Sequence, residues 1–277
     1  MSDIPKEIMK RIDRYKPVET EGLTLYPILV EEYEEYLTAK SAIEFMHQRL
    51  PRVYWNTPLL QAYYAVDNQS IEDEKIPTGL MARAVLFLAL SLRIGQDLPV
   101  EKRIALFQPR YTETGKLKSI WFTPDGEEIC EITPAKFQRL RPILAEQNGM
   151  TIPEDDANPE LVDAEKELAA KKAPELEVNL QSLISTVAAM SGVDEETVYE
   201  WPIAKLQSRQ RALHRALDYI ICGAGEMQGA KWKKGNPCPN PFFDRKKEGS
   251  AAKVALTEFA SGAAMNAVRE GIENQQQ

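Results

Sequence analysis

Histidine and cysteine are both scarce, with only His47 and His214 and with Cys130, Cys222 and Cys238 among 277 residues. Three widely separated cysteines do not make a disulfide framework. Structural zinc sites draw on closely spaced ligand pairs, and the sequence has none. Long apolar runs are missing as well. The most apolar stretch, Ala84 to Leu92, is nine residues between Arg83 and Arg93; about 20 are needed to span a bilayer, so it predicts a core helix. The N-terminus is amphipathic and mixed in charge, without the apolar centre of a secretory signal. The expectation is a cytoplasmic protein with reduced thiols and no membrane contact. Gly-rich phosphate loops, GxSxG and HExxH are absent from the sequence. Glu31-Glu32 and Glu34-Glu35 could resemble a carboxylate pair, but adjacent residues on a helix point in different directions and the expected reading is a solvated acidic face. These absences lead us to expect no enzyme, no metal and no cofactor.

What is present is a soluble globular composition, 43% hydrophobic and 27% charged, with helical periodicity through most of its length. Ile4, Ile8 and Ile12 predict a short first helix, and Gly22 to Val30 an extended segment. Glu31 begins a helix carrying Tyr33, Tyr36, Leu37, Ile43 and Phe45 near one side. Thr57-Pro58 reads as a helix start with Thr57 as cap, and Thr78 to Ile94 as the central core helix. From 103 to 132 the period turns near-alternating. Three runs, Ile104 to Phe107, Leu117 to Phe122 and Ile129 to Ile132, are separated by Glu113-Thr114-Gly115 and by Asp125-Gly126, which predicts a three-stranded antiparallel meander. Thr133-Pro134 caps a helix that ends at Asn148-Gly149. Residues 151–178 hold nine acidic residues against three lysines with Pro153, Pro159 and Pro174, the composition of a solvated linker with one exposed helix over 159–171. The fold class expected is mainly α with a small β-meander. It has a helical domain over 1–150, an acidic linker over 151–178, and a helical domain over 179–277 ending in a basic segment and an irregular tail.

Charge is unevenly spread. Residues 205–247 carry ten Lys or Arg against three Asp or Glu, a net of +7 in a chain whose total is −8, so this region is a candidate surface for an anionic partner. Before it, Val187 to Trp201 follows helix-turn-helix spacing at Ala188, Gly192, Val193, Thr197 and Val198. The start of its second helix is nevertheless acidic (Asp194, Glu195, Glu196), which suits the helix dipole better than a phosphate backbone. The next helix carries Lys205, Arg209, Arg211 and Arg215 over Leu206, Leu213, Leu217, Ile220 and Ile221. Then come Lys231, Trp232, Lys233 and Lys234, with Phe242 and Phe243 further on. Aromatics among lysines stack bases and meet phosphates, or else anchor the segment on its own domain. Cys238, without a neighbouring His, has no evident nucleophilic role.

Three blocks, GLTLYPILVEEYEEYL at 22–37, ITPAKFQRLRPILAEQNGM at 132–150 and VYEWPIAKLQSRQRALHRALDYIICGAGEMQGAKWKKGNPCPNPFFD at 198–244, resemble uncharacterised proteins of phage and prophage tail genes that are similar to tail assembly chaperones. The resemblance implies a non-enzymatic cytoplasmic factor that binds the tape measure protein and gathers tail-tube subunits on it. It carries no catalytic residue over to this chain. Two other readings stay open: a nucleic-acid-binding phage regulator that uses residues 205–247, and a structural tail or baseplate subunit.

Overall fold

The structure, a computed structural model, describes residues 4–69, 76–122, 130–153, 158–172, 179–232, 236–238 and 240–242. Among these, the chain divides into two units, residues 4–28 with 32–172 and residues 29–31 with 179–242. The fold class is mainly α with two small antiparallel sheets.

The first unit opens with α1 (Lys6–Ile12), which buries Ile12. A hairpin of β1 (Val18–Thr20) and β2 (Leu23–Leu25) sets Val18 opposite Leu25, both fully buried. Its two-residue turn places Glu21 and Gly22 at φ 52 and 73, the pair of left-handed positions that such turns need and that Gly22 accepts without a steric cost. After a single 3-10 turn at Val30–Glu32, α2 (Tyr33–Glu44) buries Tyr36, Ala39, Ala42 and Ile43. Leu37, expected on that side, is instead 44% exposed. It follows Tyr36 by one position, a turn of about 100° that carries it past the buried edge.

α3 (Leu59–Gln69) begins one residue later than expected. The Pro58 carbonyl accepts from Ala62 N–H, so Pro58 rather than Thr57 stands at the cap position. α4 (Leu80–Ser91) buries an unbroken run from Ala84 to Ser91 and forms the centre of the unit against α2 and α3. Its start is set from outside. Gly79 turns the chain at φ 70, and the Asp67 carboxylate on α3 accepts the N–H groups of Leu80 and Met81 at 3.2 and 2.8 Å, satisfying two of the donors a helix leaves open.

The meander differs from expectation in its first strand. Residues Val100–Ala105 form a helix, α5, and pairing starts at Phe107. Pro99 at the mouth of that helix, with Val100 and Ile104 one turn apart, favours helix there. β3 (Phe107–Tyr111), β4 (Leu117–Phe122) and β5 (Cys130–Ile132) then pair in sequence order. The Asp125-Gly126 turn lies outside the described residues. α6 (Pro134–Gln147) starts as expected, with the Thr133 hydroxyl accepting from Lys136 N–H at 3.1 Å, and Gly149 follows its end at φ 67. α7 (Pro159–Lys172), the helix within the acidic stretch, is tied to the first unit by Arg49. Both guanidinium Nη atoms donate to the Asp163 carboxylate, one of them at 3.0 Å.

Tyr63 on α3 is buried and donates to the Ala42 carbonyl at 2.6 Å. Burial pushes its phenol far above the tyrosine range; the Arg141 guanidinium opposes this and the Asp67 carboxylate adds to it. The folded chain therefore keeps a proton that the unfolded chain releases above about pH 10. The stabilisation is whole below that pH and declines above it, by about 1.4 kcal/mol per pH unit for this one group. Urea unfolding between about pH 9 and 11 should show a shallower decline for Tyr63→Phe than for the native chain.

Candidate interaction surface

The second unit is built from three helices and a strand-like fragment. α8 (Leu180–Ser191) is capped by the Asn179 side chain, which accepts from Gln181 and Ser182 N–H. It ends at Gly192, whose φ of 67 closes the helix while Val193 N–H returns to Ala188 O. Asp194 then caps α9 (Glu195–Tyr199) by accepting from Glu196 N–H at 3.0 Å. Ile184, Val187, Ala188, Val198, Trp201, Ile203 and Leu206 make the small core. Residues 29–31 close one side of it through a Leu29–Pro202 bridge and a Val30 N–H to Trp201 O bond of 2.9 Å.

The helix-turn-helix spacing thus serves packing. α9 is a helix of five residues whose buried residue is Val198. The Glu195 carboxylate on its first turn accepts from Gln181 Nε2 of α8 at 2.8 Å.

α10 (Ile203–Met227) has 25 residues and is longer than expected, running through Gly223 and Gly225 to Met227 instead of stopping at Cys222. Two glycines cost a helix roughly 2 kcal/mol against alanine. Gly225 has a packing reason. Trp232 returns over it, with the ring 3.6 Å from where a Cβ would stand. Gly223 has open space around that position, so Gly223→Ala should raise stability by about 0.5–1 kcal/mol, readable as a higher urea midpoint.

The basic residues do not form one face. Arg211 and Arg215, four apart, share a side, and Lys205 and Arg209 share another; Arg209 and Arg211, two apart, point in nearly opposite directions. The Lys205 ammonium sits 4.0 Å over the Trp201 ring, and burial above all, then Arg209, lowers its pKa. Arg215 is half-buried and donates Nε to Pro241 O at 3.1 Å. Arg209, Arg211 and Lys231 are exposed. Of the aromatics, Trp232 packs over Gly225 and holds the returning segment, whereas Phe242 is 75% exposed. Lys233, Lys234 and Phe243 lie outside the described residues. Cys238 has a structural part after all, since its thiol donates to Arg215 O at 3.5 Å and its N–H is held by Asn236 Oδ1.

The feature that sequence periodicity misjudged is the apolar side of α10. It is buried at Ile203 and Leu206, as expected, but further along Leu217 is 42%, Ile220 64%, Ile221 66% and Met227 90% exposed. An open depression of about 580 Å³ lies between Tyr219, Ile220, Gly223 and Met227 on the helix and Asn236 beside it. The amphipathic pattern is legible in the sequence; that no element among the described residues covers its second half is not. Contiguous exposed apolar residues of this kind mark interaction surfaces.

Among the described residues, no group of three or more His, Cys, Asp or Glu is placed to hold a metal ion. Within the same residues, no helix is long and apolar enough to cross a membrane. No family model, curated protein or solved structure matches the chain.

Proposed function

We propose that this chain is a non-enzymatic phage or prophage tail morphogenesis factor, similar to a tail assembly chaperone, that works in the host cytoplasm by binding a long helical tail protein. The observation that carries the reading is the second unit's α10. Exposed Arg211 on the helix and Lys231 just beyond it give a chain of net charge −8 exposed cationic groups suited to acidic stretches of a partner, with charge steering the encounter. The three sequence blocks that resemble tail-gene proteins add the identity of that partner, a tape measure protein, and of the subunits that gather on it. The chain holds its partner's segments until the tail tube replaces it and then leaves.

Co-purification of the chain with the products of adjacent genes, at low and high salt and with nuclease in one sample, tests this. A large helical tail protein recovered after nuclease treatment supports the reading. Recovery of nuclease-sensitive material alone, with binding that weakens steeply with salt as phosphate contacts release counterions, moves the function to nucleic acid. Retention of the chain in mature particles makes it a structural subunit instead.

A further inference from the structure

We propose that the exposed stripe on α10 pairs with the same stripe of a second copy of this chain, the two helices running antiparallel. Leu213, Leu217, Ile220, Ala224 and Met227 follow one another at intervals of four, three, four and three, the spacing of a coiled-coil seam. The stripe begins at Leu206, which is buried within the unit, and continues outward to residues up to 90% exposed, so an internal packing seam runs on uncovered by any of the described residues.

Charge selects a second copy and sets its direction. Arg211, Arg215, Asp218 and Glu226 fall with buried Cys222 on the far side of the helix, where Arg215 bonds to the returning segment. Flanking the seam are His214, Ala216, Ile221 and Gly223, so two copies meet there without opposing carboxylates or guanidiniums. Arg209 is the one charged residue between 206 and 227 on the seam side, by helical position. A parallel pair would set Arg209 against its own copy. An antiparallel pair brings it to the C-terminal end of the other α10, where the last carbonyls carry partial negative charge.

Side-chain size fits the same register. Leu217 comes opposite Ile220 of the second copy and Leu213 opposite Ala224, with Ala216 beside Gly223, a pairing of large with small that lets the helices approach closely. The resulting dimer turns exposed Arg211 away from the seam. The seam is short, so the dimer is weak and concentration-dependent.

Sedimentation of the full chain over a concentration series is the test. The mass should rise from 31.3 kDa toward twice that value. Ile220→Glu, at an exposed position that leaves folding intact, should stay at the single-chain mass, whereas Leu37→Glu, at an exposed apolar site on α2, should dimerise like the native chain. Arg209→Ala should weaken the dimer roughly threefold; in a parallel pair the same change would tighten it. A native chain that keeps the single mass at every concentration overturns the proposal and leaves the stripe to a different protein or to the chain's own remaining residues. Dimerisation of Ile220→Glu equal to native overturns it too. Neither result bears on tail-protein binding, which co-purification reads separately.

Discussion

Replacement of Arg103 by methionine is expected to cost about 3–5 kcal/mol of stability. Arg103 is 6% exposed and Glu32 8%, and the guanidinium Nη1 donates to the Glu32 carboxylate at 3.4 Å. Its Nε donates to Leu98 O at 3.0 Å and Nη2 to Gln96 O. One side chain therefore neutralises a buried carboxylate and closes the turn that leads into α5. Methionine keeps the volume and removes the guanidinium from the buried Glu32 carboxylate and from the Leu98 and Gln96 carbonyls. Pairing the change with Glu32→Gln should recover part of the loss, because the buried charge goes as well, but not the carbonyl contribution. Urea denaturation of the three variants against the native chain separates the two: the double variant is expected to fall between Arg103→Met and native. A double variant no better than Arg103→Met would mean that the ion pair contributes nothing.

The second large effect is expected at Asn148, where alanine should cost about 3 kcal/mol. Asn148 is fully buried. Its Oδ1 accepts the Ile28 N–H at 2.9 Å, 120 residues away in sequence, and its Nδ2 donates to Leu144 O at 2.8 Å. Alanine strands an N–H at the end of the β2 segment and a carbonyl on the last turn of α6, each a buried polar group without its partner. Asn148→Asp keeps the acceptor for Ile28 but loses the donor and buries a charge, so it should be no better than alanine near neutral pH and should improve as the solution is acidified. The comparison of unfolding midpoints at two pH values reads this directly.

These two residues show where the sequence was legible and where it was not. Local signals did well. Thr133-Pro134 gave the start of α6 because a hydroxyl cap and a proline in the first turn act through neighbouring atoms alone. Asn148-Gly149 likewise marked its end. That Asn148 also holds Ile28 is a non-local fact without a periodic trace. Arg103 was harder, since a buried arginine and a solvated one look alike in a sequence until the elements around them are placed. In the second unit, periodicity marked the three helices, and Gly192 marked the turn between the first two. The basic residues of α10 are close in sequence, but the helical period divides them between two sides. Its apolar side is legible as a stripe, whereas amphipathic patterning cannot say how far a covering element extends.

We propose that the chain binds and keeps in solution a long helical tail protein. The most direct measurement is the soluble fraction of such a tail protein, expressed alone, with the native chain, and with a variant reversing Arg211 and Lys231 to glutamate. The account predicts that the partner moves from pellet to supernatant with the native chain, remains associated with it after nuclease, and returns toward the pellet with the variant. An unchanged soluble fraction in all three expressions would contradict it.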